Sequence, residues 1–196
     1  MDISNFKWLN ESKLTIDGNE LTIYAPPNSD FFNNPVPESG DFTKPLANAP
    51  FLYTEIEGDF VIRVNVTPEF ISDYDASCIM VINDEKTWLK AAFEKSDFNT
   101  TAIVSVVTNE ISDDANGCNI TEKSVWLQVA RVGNNFTVHY SPDGVKFDMV
   151  RLCFLPVENT LKVGIVSQSP TGNGANHKFN NLTIEKRTIK NLRAGS

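Results

Sequence analysis

Cysteine and histidine are scarce in this sequence, with three of the first and two of the second in 196 residues. Cys78, Cys118 and Cys153 are odd in number and widely spaced. That excludes a disulfide framework or a metal knuckle and fits free thiols in a reducing compartment. His139 and His177 stand far apart, outside any ligand-spaced cluster, so no transition-metal site and no metal cofactor are expected. Positive charge is also short: 17 Lys and Arg against 25 Asp and Glu give a net charge of −8. Such a surface opposes general binding to nucleic acid and to anionic membranes. The one basic segment, 186–196, reads as a solvated tail. No apolar run approaches the roughly 20 residues of a membrane span. The opening Met1-Asp2-Ile3-Ser4-Asn5 lacks the basic and apolar regions of a secretory leader, so a cytoplasmic protein is expected. The Asn-x-Ser/Thr triplets at Asn65, Asn99, Asn135 and Asn181 then carry no meaning for glycosylation. Helical stripes of useful length, a Gly-x-Ser-x-Gly elbow and a phosphate-cradling glycine loop are missing too.

What is present is a succession of short alternating segments. Asp17-Gly18 separates two of them and marks a hairpin. Residues 25–50 hold six prolines (Pro26, Pro27, Pro35, Pro37, Pro45 and Pro50) and read as one long loop. Strands are predicted over 60–67, 77–82, 87–93, 102–108, 125–132, 135–141, 149–154, 161–167 and 179–185. Residues 113–117 (Asp-Asp-Ala-Asn-Gly) read as a polar loop. About ten to twelve strands with turns every roughly 8–12 residues predict an all-β sandwich or jelly roll. No internal repeat or linker divides 1–196, so a single domain is expected.

The stretch Trp88 to Glu94 carries the chemistry. At period two, Leu89, Ala91 and Phe93 face a core, and Trp88, Lys90, Ala92 and Glu94 face away from it. Lys90 and Glu94 lie about 13 Å apart along a strand. They cannot pair with each other, so each needs a neighbouring strand or a ligand. If 77–82, 125–132 and 135–141 belong to the same sheet, Ile79, Val81, Val125, Leu127, Val129, Phe136, Val138 and Tyr140 join the core face. Met80, Ile82, Trp126, Gln128, Thr137 and His139 then line the other. That mixed polar and aromatic face is a candidate groove.

Pieces of the chain also resemble a known family. In order, these are Asn28-x-Asp30-Phe31-Phe32, Pro50-Phe51-Leu52-Tyr53-Thr54, Tyr74-Asp75 and Met80-Val81. Trp88-x-Lys90-x-x-x-Glu94, Ser105-Val106-Val107-Thr108 with Ser112-Asp113, and Trp126-Leu127 with Arg131 follow. The last are Tyr140-Ser141-x-Asp143-Gly144-x-x-Phe147 and Gly164 leading to Ser169-Pro170-x-Gly172-x-Gly174. Together they resemble the concanavalin A-like family called domain of unknown function 1349, which includes proteins labelled for regulation of enolase. The family often has Trp where Phe32 stands. The resemblance implies a jelly-roll β-sandwich of the lectin and glucanase type. It says little about activity, since that fold hosts lectins, glycan hydrolases and inert modules.

The expected function is binding, without catalysis or cofactor, of a carbohydrate or similar polar metabolite. Trp88 stacks on the ligand. Lys90 and Glu94 contact hydroxyls or charge, Gln128 and Arg131 are neighbours, and Asp113 and Asp114 sit on a rim loop. A calcium ion at Asp113-Asp114-x-Asn116 is the lesser reading of that loop. One alternative is a regulatory protein-interaction module using Phe31, Phe32 and Phe42. Another is a glycan hydrolase with Glu94 as acid and Asp113 or Asp114 as partner. The string Glu55-Ile56-Glu57-Gly58-Asp59 lacks the carboxylate spacing of the retaining enzymes and reads as a solvated strand end.

Overall fold

A computed structural model describes residues 3–33 and 46–196, and among these residues every regular element is a strand. In chain order they are β1 (Lys7–Leu9), β2 (Leu14–Asp17), β3 (Glu20–Ala25), β4 (Phe31–Phe32), β5 (Leu46–Ala47) and β6 (Phe51–Glu57). Then come β7 (Phe60–Thr67), β8 (Ala76–Ile82), β9 (Thr87–Lys95), β10 (Thr101–Asn109) and β11 (Ile111–Asn119). The last are β12 (Val125–Val132), β13 (Asn135–Ser141), β14 (Asp148–Phe154), β15 (Thr160–Gln168) and β16 (Ala175–Glu185). No helix among the described residues is long and apolar enough to cross a membrane.

Two seven-stranded antiparallel sheets face each other. The front sheet runs β1-β6-β15-β8-β9-β10-β11 and the back sheet β14-β13-β12-β7-β16-β3-β2. This is the jelly-roll β-sandwich expected. Alternation explains the layer between them. Ile79, Val81, Leu89, Ala91 and Phe93 from the front meet Val125, Leu127, Val129, Phe136 and Val138 from the back in one buried cluster. Tyr140 packs against it half-buried. The Asp17-Gly18 hairpin forms as read, joining β2 to β3.

Three expectations are corrected. First, 77–93 and 125–141 belong to opposite sheets. The period-two pattern tells in from out but not front from back, so Gln128 and Arg131 are not neighbours of Trp88. Second, 113–117 is not a loop. It lies inside β11, a polar edge strand held by backbone pairing to β10. Third, the tail is not free in solvent. Ile189 is buried with Val61 and Ala130 on the outer face of the back sheet, and Leu192 packs beside it.

The front sheet has a second apolar layer on its outer face. Phe31, in β4, and Ala49, just after β5, cover Phe51, Cys78, Met80, Trp88, Ala92, Val104 and Val106. Burial on both faces accounts for the apolar residues on both faces of β10, interrupted only by the buried Ser105. Phe42, with Pro35, Pro37 and Pro45 of the proline-rich stretch, lies outside the described residues.

Candidate functional site

Cross-strand register sets the outer row of β9. Lys90 lies between Met80 of β8 and Val106 of β10, and Val106 in turn faces Asp114 of β11. Glu94 lies between Ala76 and Ala102, and Ala76 faces Gln168 of β15. The Lys90 side chain is 2% exposed. Its Nζ donates to Asp30 Oδ1 at 2.9 Å, to the Phe31 carbonyl at 2.9 Å and to Gln168 Oε1 at 2.8 Å. Burial alone pulls an ammonium pKa down. Here the Asp30 carboxylate, Cys78 and Glu94 outweigh burial, so Lys90 titrates above its ordinary range and stays charged. Trp88 is 4% exposed and meets the edge of the Phe31 ring at 6.3 Å. Neither side chain reaches an open groove. Lys90 fastens the segment after β3 to the sheet, and Trp88 is a core residue beneath it.

Gln168 joins this fastening to open surface. Its Nε2 donates to Glu94 Oε2 at 3.3 Å and to the Tyr74 carbonyl at 3.2 Å. Tyr74 has a left-handed backbone (φ 68°), and its N–H bonds the Lys95 carbonyl at 2.7 Å. Asp75 behind it is fully buried. Its carboxylate accepts from Ile71 N, Ser72 N and Ser169 Oγ and braces the turn. Several quoted motifs thus converge on one end of the front sheet: Asp30, Tyr74-Asp75, Lys90, Glu94 and Ser169. The cleft there has a volume of about 320 Å³ and is lined by Tyr74, Glu94, Ser96, Asp97, Phe98, Asp114 and Asn116. Phe98 is 76% exposed and offers an open ring face at the wall.

Burial, with Asp30, Asp114 and Asp97 nearby, pushes the Glu94 carboxyl up to about 8 despite the opposing pull of Lys90. Glu94 is therefore neutral at neutral pH and able to donate as well as accept. Burial also raises Asp114. His177 goes the other way. Its buried ring donates from Nε2 to the Gln168 carbonyl at 3.0 Å and accepts from Glu69 N at Nδ1, and burial pushes it down to about 4.

These shifts make stability depend on pH. Folding favours protonated Glu94, so that contribution is complete below its ordinary 4.5 and is lost as pH rises through about 8. Folding favours neutral His177, so its contribution is present above 6.5 and lost as pH falls toward 4. Between pH 6.5 and 8 only the Glu94 term of this pair changes. Stability should fall across that window with a slope of at most about 1.4 kcal/mol per pH unit. Urea melts on Glu94→Gln should lose the slope, and an unchanged slope would remove Glu94 as its source.

The other sequence candidates sit elsewhere. Arg131 is 3% exposed and donates to the carbonyls of Gly133, Glu158 and Asn159, tying loops together at the end of β12. Gln128 bonds Arg63 and the Gly195 carbonyl on the outer face of the back sheet. Asp113 pairs with Arg151 at 3.2 Å, leaving Asp114 alone of the two in the cleft with Glu94. Sequence reasoning missed Asp30, Gln168, Tyr74, Asp97 and Phe98. Asp30 stood in a quoted motif, and the unpaired Lys90 was the available clue to it. Among the described residues no group of three or more His, Cys, Asp or Glu is placed to hold a metal ion.

Comparison with known proteins follows the fold closely. The family described as "Protein of unknown function (DUF1349)" matches residues 8–187. "Regulation of enolase protein 1" of Saccharomyces cerevisiae is 27% identical over 185 residues, which is 93% of this chain and 90% of that protein. A crystal structure of a functionally unknown protein from Saccharomyces cerevisiae superposes with a TM-score of 0.86 at 24% identity, covering 96% of this chain and all of that one. The carbohydrate-binding module CBM66 from Bacillus subtilis shares the fold at a TM-score of 0.57 and 11% identity, covering 93% and 96% of the two chains.

Proposed function

The chain belongs to the DUF1349 family of proteins of unknown function, and we propose that it acts as one binding domain for a carbohydrate or a similar polyhydroxylated metabolite. The site is the cleft beside Glu94. The observation that carries this reading is a neutral, buried carboxyl facing a cleft walled by an exposed Phe98 ring. A sugar presents an apolar C–H face to an aromatic ring and hydroxyls to its surroundings. Each hydroxyl both donates and accepts, which suits a protonated Glu94 beside Asp97, Asp114 and Asn116. The likeness of fold to a carbohydrate-binding module supports the same reading. Of the residues first considered, Glu94 and Asp114 remain contacts. Lys90 is linked to the site through Gln168, and Trp88 lies further along β9 against Phe31, away from the cleft.

A thermal-shift screen against mono- and oligosaccharides tests this. A ligand at 100 times its Kd stabilises by about 2.7 kcal/mol. Phe98→Ala and Asp97→Asn alter exposed groups and should leave the fold intact while abolishing the shift. No stabilising sugar at millimolar concentration would count against the site.

The interaction-module reading is weakened by burial. Phe31 is 2% exposed and Phe32 packs against the same cluster, so neither forms an open patch. A hydrolase reading keeps one specific support, the neutral Glu94 facing the same cleft as Asp114. Glu94→Gln decides between them. It should retain ligand binding in a lectin-like site, and in a glycosidase it should abolish release of aryl alcohol from aryl glycosides.

A further inference from the structure

The outer face of the back sheet carries an unusual amount of buried polarity. Arg63, Gln128 and His139 stand side by side on the neighbouring strands β7, β12 and β13. The row spans about 10 Å. Gln128, His139 and the nearby Thr137 are each fully buried. What buries Gln128 and His139 is the end of the chain. Residues 191–196 form a tight turn closed by Asn191, whose side-chain oxygen accepts from Arg193 N and Ala194 N at 3.1 Å. The turn lays two carbonyls on the row: Gln128 Nε2 donates to Gly195 O at 3.1 Å, and His139 Nε2 donates to Arg193 O at 3.1 Å.

The turn does not satisfy the face it covers. With Nε2 donating, His139 Nδ1 is a bare acceptor, and it has no hydrogen-bond partner among the described residues. Thr137 Oγ1 has none either. Buried polar groups of this kind are normally paired. Backbone carbonyls accept only, so they serve Gln128 Nε2 and His139 Nε2 and leave the Nδ1 acceptor unmet. A hydroxyl accepts and donates together. A ligand bearing adjacent hydroxyls would take up the positions of both carbonyls and offer a proton to Nδ1 and Thr137 as well.

We propose that the Arg63–Gln128–His139 row is a binding site for a polyhydroxylated ligand and that the turn 191–196 is its displaceable plug. The site lies on the opposite sheet from the Glu94 cleft and does not depend on that reading. The tail is held in two parts. Ile189 is the buried anchor on Val61 and Ala130, while the turn rests partly on that cluster through Leu192 and on the polar row through the Arg193 and Gly195 carbonyls. The turn can therefore lift with Ile189 still seated. Its seating requires Gly195, which has a left-handed backbone (φ 72°). A Cβ there would stand 2.6 Å from Gln128 Nε2 and 3.2 Å from His139 Nδ1.

Gly195→Val and Leu192→Asp, made in the full chain, each unseat the plug by a different route. The ring nitrogens of His139 report it by NMR, with glucose, xylose and fructose as probes. In wild type the plug competes, and affinity is reduced by the fraction of time the site is open. The expected result is that both variants move the His139 Nε2–H resonance. At least one sugar then shifts the ring signals, about tenfold tighter than in wild type. Adding Gln128→Leu to either variant abolishes that response. The proposal is overturned if the unplugged ring ignores all three sugars, or if it responds only to a peptide of sequence 188–196. It is equally overturned if neither variant disturbs His139, because the turn would then not be the occupant. Phe98→Ala leaves this response unchanged, so failure here and failure of the Glu94 cleft are separately visible.

Discussion

Replacing Lys90 by methionine should cost about 3–5 kcal/mol, the usual penalty for removing one member of a buried ion pair. Methionine fills a similar volume among Met80, Val104 and Val106, so the loss is not a cavity. It comes from what is left behind. Asp30 keeps a carboxylate whose side chain is 14% exposed, and Gln168 Oε1 and the Phe31 carbonyl lose a donor at 2.8–2.9 Å. In a chain of this size each kcal/mol is worth about 2–4 °C in Tm, so a fall of about 6–20 °C is expected. Lys90→Met with Asp30→Asn should recover part of it, because the stranded charge has gone. Calorimetry on the two variants checks both statements. A single variant within about 1 kcal/mol of wild type, the range of a surface pair, would show that Lys90 is not buried beneath the segment carrying Asp30.

Gly164→Ala should be nearly as damaging, although it adds one methyl group. Gly164 lies in β15 between Tyr53 of β6 and Met80 of β8. A Cβ built there falls 2.0 Å from the Leu52 carbonyl oxygen and 2.7 Å from the Tyr53 Cα. Both are backbone atoms of a paired strand, which cannot swing aside as a side chain would. The sheet must open locally or lose pairing. The cost belongs at the top of the range for overpacking, about 3 kcal/mol. Denaturant melts measure it, with an unchanged midpoint as the result that would refute the close approach. Amide exchange in β6 and β15 should rise first, since that is where the strands separate.

The fate of individual residues shows what could be read in advance. The alternation Leu89, Ala91, Phe93 against Trp88, Lys90, Glu94 held, because the strand's period fixes which side each residue faces. That Lys90 and Glu94 would seek partners outside their own strand followed from the rise per residue, and Gln168 and Asp30 are those partners. Which sheet Gln128 belongs to did not follow, because front and back strands obey the same period. β11 was hidden because its pairing is made by backbone atoms under polar side chains, Ser112 to Asn116, that look like a loop. The covered outer faces were hidden for a different reason. Burial of Trp88 and His139 depends on segments 57 and 52 or more residues away in sequence, around Phe31 and the 191–196 turn, and no local pattern in β9 or β13 records it. Phe98 and Tyr74, which line the cleft, lie in the connections flanking β8 and β9 and carried no periodic signal at all.

The order of strands has a consequence for the protein as it leaves the ribosome. β15, among the last strands made, sits between β6 and β8 in the front sheet, and β16 sits between β3 and β7 in the back. Until residue 168 has emerged, β6 and β8 have no common neighbour, and β8 presents a bare apolar edge. The sandwich therefore cannot close from its N-terminus forward as synthesis proceeds. Assembly waits for the last two strands, and the nascent chain passes through synthesis with unpaired edges of the kind that aggregate or recruit chaperones. Emergence of β15 and β16, rather than growth of the strands before them, sets the moment at which the two sheets close.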